Sequence, residues 1–225
     1  MKTNFSLRRD WMIWLLILGP LIPILLNWDK FPDKIPTHWN ASGEVDSYGG
    51  KGALFIGPLV NLGVYLLLLF LPRIDPRKKN YELFSGAYWT IRLGLAIVLA
   101  IVGLVTIFVP LGYDIDVALI IPLTVTGLFL LLGNQFGRLR HNYFVGIRTP
   151  WTLNNEEVWK RTHRLAGKVW VAGSLIMLPL IFLLPAETMS VAFFIYIAVL
   201  AIVPIVYSLI THKSLENGPK DSSDI

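Results

Sequence analysis

The sequence predicts an all-α, polytopic membrane protein of six transmembrane helices. Three observations carry that expectation. Only 16% of residues are charged against 54% hydrophobic, with mean hydropathy +0.58, whereas a soluble domain carries about a quarter charged. Six uncharged runs each approach the ~20 residues that a helix needs to cross a ~30 Å hydrocarbon core. Lysine and arginine are also distributed very unevenly between those runs. The chain has no cysteine, so a disulfide framework and a thiolate metal site are both excluded.

The runs are Trp11–Trp28, Gly52–Pro72, Leu93–Tyr113, Val117–Gly137, Val169–Ala186 and Thr188–Ile210. The first follows Lys2, Arg8 and Arg9 as a signal peptide would. It is long, however, and runs into Asn27-Trp28-Asp29 without a small-x-small cleavage site, so it reads as an uncleaved first span. Numbering the connections alternately inside and outside puts 17 of the 20 Lys and Arg on the side of the N-terminus. The other side holds Lys30, Lys34 and Lys51 against the acids Asp29, Asp33, Glu44, Asp46, Asp114, Asp116 and Glu187. Positive charge accumulates on the cytoplasmic side, which predicts both termini there. The net charge of +5 therefore reports topology, and no direct nucleic-acid partner is expected. The location expected is a cell membrane, with its lipid as the first partner.

Two connections are long: 29–51 outside and 138–168 inside. They divide the chain into halves 1–113 and 114–225. Each contains an Ile-x-Thr-x-Trp segment, "IPTHWN" at Ile35–Asn40 and "IRTPWT" at Ile147–Thr152. Downstream, Glu44-Val45 and Gly50-Lys51 correspond to Glu157-Val158 and Gly167-Lys168. With an odd number of spans per half, such copies would form a 3+3 inverted repeat, although Trp, Thr and Gly also recur at membrane boundaries without one. The tail Gly218–Ile225 reads as disordered.

The inner connection contains "NYFVGIRTPWTLNNEEVWKRTHR", Asn142–Arg164. Thr149-Pro150 fixes a bend. Asn154 is expected to cap a helix, with Glu157 reaching back in a capping box. Val158, Thr162, Leu165 and Val169 share one face, which predicts a helix lying partly in the interface before it turns into the fifth span. Arg148, Arg161, Arg164 and Lys168 would then meet anionic headgroups. Anchoring alone does not require the whole set Asn134, Asn142, Gly146, Arg148, Thr149, Pro150, Trp151, Glu157, Trp159, His163 and Arg164. Together they predict a folded cap or a partner-binding surface, with Arg148, Trp151, Trp159 and Arg164 carrying it. On the outer side, His38, Trp39, Asn40, Glu44 and Asp46 are the candidate ligand-facing residues. Asn40-Ala41-Ser42 also matches a glycosylation acceptor, a pattern common by chance.

No metal site is expected. His141 and His163 fit no helical pair and have no acid in a ligand motif, and His38 with Glu44 and Asp46 is equally weak. No cofactor is expected. The middles of the six runs hold no ionisable residue, which counts against proton-coupled transport. Asn61, Thr106, Thr124, Thr126 and Ser174 read as interhelical hydrogen-bonding groups, and Pro20, Pro23, Pro58, Pro122, Pro179 and Pro204 as sites able to kink helices. With no nucleophile–base pair, His-Glu-x-x-His or phosphate loop, the chain does not read as an enzyme.

The stretch "GNQFGRLRHNYFVGIRTPWTLNNEEVWKRTHRLAGKVW", Gly133–Trp170, resembles the signature of the SdpI family of bacterial membrane proteins. Gly133-Asn134, Asn142, Gly146 to Leu153, Glu157 to Trp159, Arg164 and Lys168 carry the likeness. The outer "FPDKIPTHWNASGEVDSYGGK" is similar to the small N-terminal membrane domain of unknown function that often accompanies it. The resemblance implies immunity to a secreted peptide toxin, and signalling in which a cytosolic transcriptional repressor is held at the membrane. The alternative is a small-molecule or peptide transporter; a membrane-bound hydrolase would need a His and acid cluster that the sequence does not supply.

Overall fold

The computed structural model describes residues 7–217. Lys2 and the tail expected to be disordered, Gly218–Ile225, lie outside the described residues. Six segments are long and apolar enough to cross a membrane: Arg9–Leu26, Lys51–Ile74, Ser85–Leu111, Val117–Phe136, Glu156–Leu183 and Glu187–Glu216. Side chains such as Leu25, Leu26, Leu175, Phe182 and Phe194 are exposed along them. A soluble surface would not carry so much apolar area, and hydrocarbon is the solvent that suits it. The protein is a multi-pass membrane protein.

The first crossing is two helices, α1 (Leu7–Leu18) and α2 (Leu21–Leu26). They part at Gly19-Pro20, where proline has no N–H to continue the ladder. The second is α3 (Ile56–Ile74), followed by the short α4 (Asn80–Leu83) and the third crossing, α5 (Ser85–Phe108). Then come α6 (Val117–Phe136), the short α7 (Pro150–Asn154), α8 (Glu156–Leu183) and α9 (Ala186–Glu216). Pro122, Pro179 and Pro204 lie inside α6, α8 and α9, which continue through them.

Two helix starts differ most from expectation. Helix α5 begins at Ser85 rather than Leu93, and α8 at Glu156 rather than Val169. The separate interfacial helix expected before the fifth span does not exist, because α8 is continuous from Glu156 to Leu183. Its face of Val158, Thr162, Ala166 and Gly167 is buried and leads directly into the apolar part of the helix. Gly167 also approaches the α6 backbone so closely that a Cβ there would lie 2.8 Å from the Gly133 carbonyl oxygen. Such close approach is how helices associate where lipid removes the hydrophobic drive between them.

The 29–51 connection is not purely helical. It contains an antiparallel hairpin, β1 (Ile35–Trp39) and β2 (Val45–Gly49), with Ile35 opposite Gly49 and Trp39 opposite Val45. Asn40 builds the turn, its Oδ1 accepting from the N–H groups of Ser42 and Glu44 at 2.9 and 3.0 Å. Ile35 and Phe31 anchor the hairpin among Ile24, Leu54 and Ile107. The two Ile-x-Thr-x-Trp segments fold differently: the first is β1, whereas the second enters α7. Likewise Gly50-Lys51 opens a 3-10 turn, while Gly167-Lys168 lies within α8.

In the bundle α6 packs along α8 and α8 along α9, while α5 contacts α1, α3 and α6. A core of Leu68, Tyr81, Phe84, Tyr88, Phe136 and Trp159 joins residues from both halves of the chain. The polar groups expected between helices act in that way at two places. Asn61 Nδ2 donates to the Ala96 carbonyl across α3 and α5 at 3.1 Å, and Ser174 and Tyr196 hydroxyls meet at 2.7 Å across α8 and α9. Thr106 instead bonds within its own helix, to the Val102 carbonyl.

Candidate functional site: a composite polar cap

The end of the bundle opposite the hairpin is closed by two connections folded together, 75–84 and 137–155. Asn142 organises the longer one. Fully buried, its Oδ1 accepts from the N–H groups of Phe144 and Val145 at 2.9 and 2.7 Å. Its Nδ2 donates to the Arg140 and Val145 carbonyls at 2.9 and 3.0 Å. One side chain thus replaces the backbone partners that an irregular buried loop lacks.

Gly146 has φ +115, a conformation open to glycine and strained for other residues, and a Cβ there would collide with His163 Nε2. That close approach lets the Ile147 N–H donate to His163 Nε2 at 3.0 Å. Because Nε2 accepts, the ring proton is on Nδ1, which donates to the Trp159 carbonyl at 2.9 Å. Both ring nitrogens are thereby engaged in the neutral form. Trp159 stacks on His163 with centroids 4.0 Å apart, and its Nε1 donates to the Leu139 carbonyl at 3.1 Å.

Thr149 caps α7 in a capping box with Thr152, and Pro150 occupies the first turn, where its missing N–H has no partner to lose. The Thr149 and Ser208 hydroxyls meet at 3.1 Å, tying the loop to α9. The cap of α8 is Asn155, not Asn154: its side chain accepts from the N–H groups of Glu157 and Val158. Asn154 instead ends α7. Glu157 does not reach back to the cap but accepts from Arg161 Nε at 2.8 Å, one turn onward.

The shorter connection centres on Asp75, which is 1% exposed. Its carboxylate accepts from the Arg77 N–H at 2.7 Å, the Tyr81 hydroxyl at 2.9 Å and the Tyr143 N–H at 3.0 Å. Burial, then the hydrogen bond to Asp75, pushes the Tyr81 phenol far above its ordinary range, so it remains a donor. Asn80 Nδ2 donates to the His141 carbonyl at 2.7 Å. Arg77 donates to the Leu153 carbonyl at 3.2 Å and lies over the Tyr143 ring. His141 Nε2 donates to that same carbonyl at 3.0 Å. Burial, helped by the Arg77 cation, holds His141 below the usual imidazole range.

The structure therefore divides the expected set. Asn142, Thr149, Trp159 and His163 are interior, and Trp159, expected on the partner surface, is only 1% exposed. Arg148, Pro150, Glu157, Arg164 and Asn134 are exposed, and Trp151 is half-buried near His212. At the hairpin end, His38 Nδ1 meets Asp46 Oδ1 at 2.6 Å, Asn40 Nδ2 donates to Glu44 at 3.0 Å, and Trp39 is half-buried. His38, Trp39 and Asn40, but not Glu44 or Asp46, border a cavity of about 370 Å³ between the hairpin and α5, α6 and α9. Among the described residues, no three His, Asp or Glu side chains are grouped to hold a metal ion.

Two features were not foreseen. The Asp75 network needs the fold, although an acid directly before a proline in a basic connection was a usable signal. The second is a buried ion pair within the observed crossings, at the edges of the uncharged runs. Asp10 on α1 and Arg92 on α5 are 0% and 3% exposed, paired at 3.0 Å between Oδ1 and Nη2 and at 3.3 Å between Oδ2 and Nη1. The Tyr65 hydroxyl also donates to Asp10 Oδ2 at 3.0 Å. Both ionisable residues lie just outside the uncharged runs, so a search of the runs alone passes over them.

Comparison with known proteins places this geometry. The SdpI/YfhL protein family model matches residues 138–208, from the cap through most of α9. A domain of unknown function matches residues 15–62, which include the hairpin. The Immunity protein SdpI of Bacillus subtilis (strain 168) is 34% identical over 171 residues, covering 76% of this chain and 79% of that protein. The chain belongs to the SdpI family. No solved structure matches it. The family match begins at Arg138 and so takes in Asn142, Gly146, Thr149, Trp159 and His163, the residues that fold the cap.

Proposed function

We propose that this SdpI-family protein is a bacterial membrane immunity protein that protects its cell from a secreted peptide toxin. The observation that carries the reading is the 34% identity to an immunity protein over 76% of the chain. The cap faces the cytoplasm and the hairpin faces outside, a reading supported by the distribution of 17 against 3 basic residues. The toxin meets the hairpin and the cavity beneath it. A cytosolic repressor meets the exposed part of the cap around Arg148, Trp151 and Arg164. The protein acts by binding, and any coupling of its two ends requires two helix arrangements that both ligands favour in the same sense.

Transport is the second reading, and the buried Asp10–Arg92 pair removes one argument against it. That pair is nevertheless matched by an opposite charge and a tyrosine hydroxyl, and Asn61 is committed to Ala96, so both support a helix clasp more than an ion path. The test is deletion and complementation. A deletion strain should become sensitive to a peptide released by its own culture, and the wild-type gene should restore survival. Unchanged survival together with altered uptake of a small solute would favour transport. Glu156→Cys in this cysteine-free chain should resist a membrane-impermeant maleimide on intact cells, and labelling there would invert the orientation.

A further inference from the structure

We infer that the groove between α6 and α8 at the cap end is a binding site for one anionic phospholipid. The cavity there is about 690 Å³, with Arg164 and Lys168 at its mouth and Gly133, Gly137, Val171 and Leu175 along its walls. It lies in the size range of small-ligand sites. Arg164, Lys168, Val171 and Leu175 are spaced along one side of α8, so a chain following them runs ~16 Å from charge to hydrocarbon, at ~1.5 Å per residue. A neighbouring cleft of about 340 Å³ shares Gly137 and Arg164 and adds Arg140.

Charge identifies the occupant. The acids near the mouth are already engaged: Glu157 pairs with Arg161 at 2.8 Å and Glu156 with Lys160 at 3.2 Å. Among the described residues, Arg140, Arg164 and Lys168 form no ion pair. A headgroup phosphate supplies the missing anion, and an acyl chain covers the apolar wall below it. A water-soluble phosphate would satisfy only the mouth. Guanidinium and ammonium groups at the boundary of a span meet anionic headgroups in this way.

Gly137 gives a direct way to fill the site. It has right-handed helical φ, and a Cβ there would meet nothing within 4 Å, so Gly137→Leu enters the groove without backbone strain. The full-length protein in detergent would be titrated with phosphatidylglycerol or phosphatidylcholine and bound lipid counted by native mass spectrometry. Wild type should retain one phosphatidylglycerol and discriminate against phosphatidylcholine. Arg164→Gln/Lys168→Gln and Gly137→Leu should each weaken retention about tenfold or more, while Arg164→Lys/Lys168→Arg should preserve it. Lys78→Gln/Lys79→Gln, which removes two exposed cations outside the groove, should have no effect. Equal retention of phosphatidylcholine, equal loss in the Lys78/Lys79 control, or displacement by millimolar inorganic phosphate would each overturn the assignment. The readout is independent of immunity, so this inference and the proposed function fail separately.

Discussion

Replacing one member of the Asp10–Arg92 pair should damage the fold far more than replacing both. In Arg92→Met, Asp10 keeps only the Tyr65 hydroxyl at 3.0 Å in a site with 0% exposure. In Asp10→Leu, Arg92 keeps only the faces of Tyr65 and Tyr88, 5.8 and 5.9 Å from its guanidinium carbon. An uncompensated buried charge of this kind costs about 3–5 kcal/mol. The double variant removes both charges and strands only the Tyr65 hydroxyl, so its cost should be about 1–3 kcal/mol. The cycle would be measured by reversible denaturant unfolding in mixed micelles, and the coupling energy should exceed ~3 kcal/mol. Single-variant losses that add to the double within about 0.5 kcal/mol would refute the pairing.

Three further outcomes test the cap. Gly146→Ala should destabilise it by about 2–4 kcal/mol, from positive-φ strain plus the lost Ile147–His163 hydrogen bond, seen as faster amide exchange over residues 142–149. Exchange like that of wild type would deny the close approach. Asp75→Ala strands three donors and should cost about 3 kcal/mol or more, with Asp75→Asn milder; equal melting temperatures for the three proteins would contradict the network. His141 is held below the ordinary imidazole value, so its contribution to stability is present above that value and is lost as pH falls through the depressed one. The melting temperature should therefore fall on acidification, and His141→Asn should flatten that dependence. An unchanged slope would place the acid sensitivity elsewhere.

Sequence alone determined the membrane class and the six crossings, because hydrocarbon imposes length and polarity rules that a one-dimensional pattern exposes directly. Family resemblance rested on one local run, and Asn142, Gly146, Thr149 and Trp159 all proved to shape the cap. Tertiary structure alone decided which of those residues are interior. Trp159 and His163 stack beneath the loop because α8 continues through them to Glu156, and no local pattern distinguishes a tryptophan in the interface from one under a cap. It also decided the partners of Asp75 and Asp10. Those contacts join positions 68 and 82 residues apart in the chain, and the energy that holds a buried carboxylate depends on what the fold places beside it.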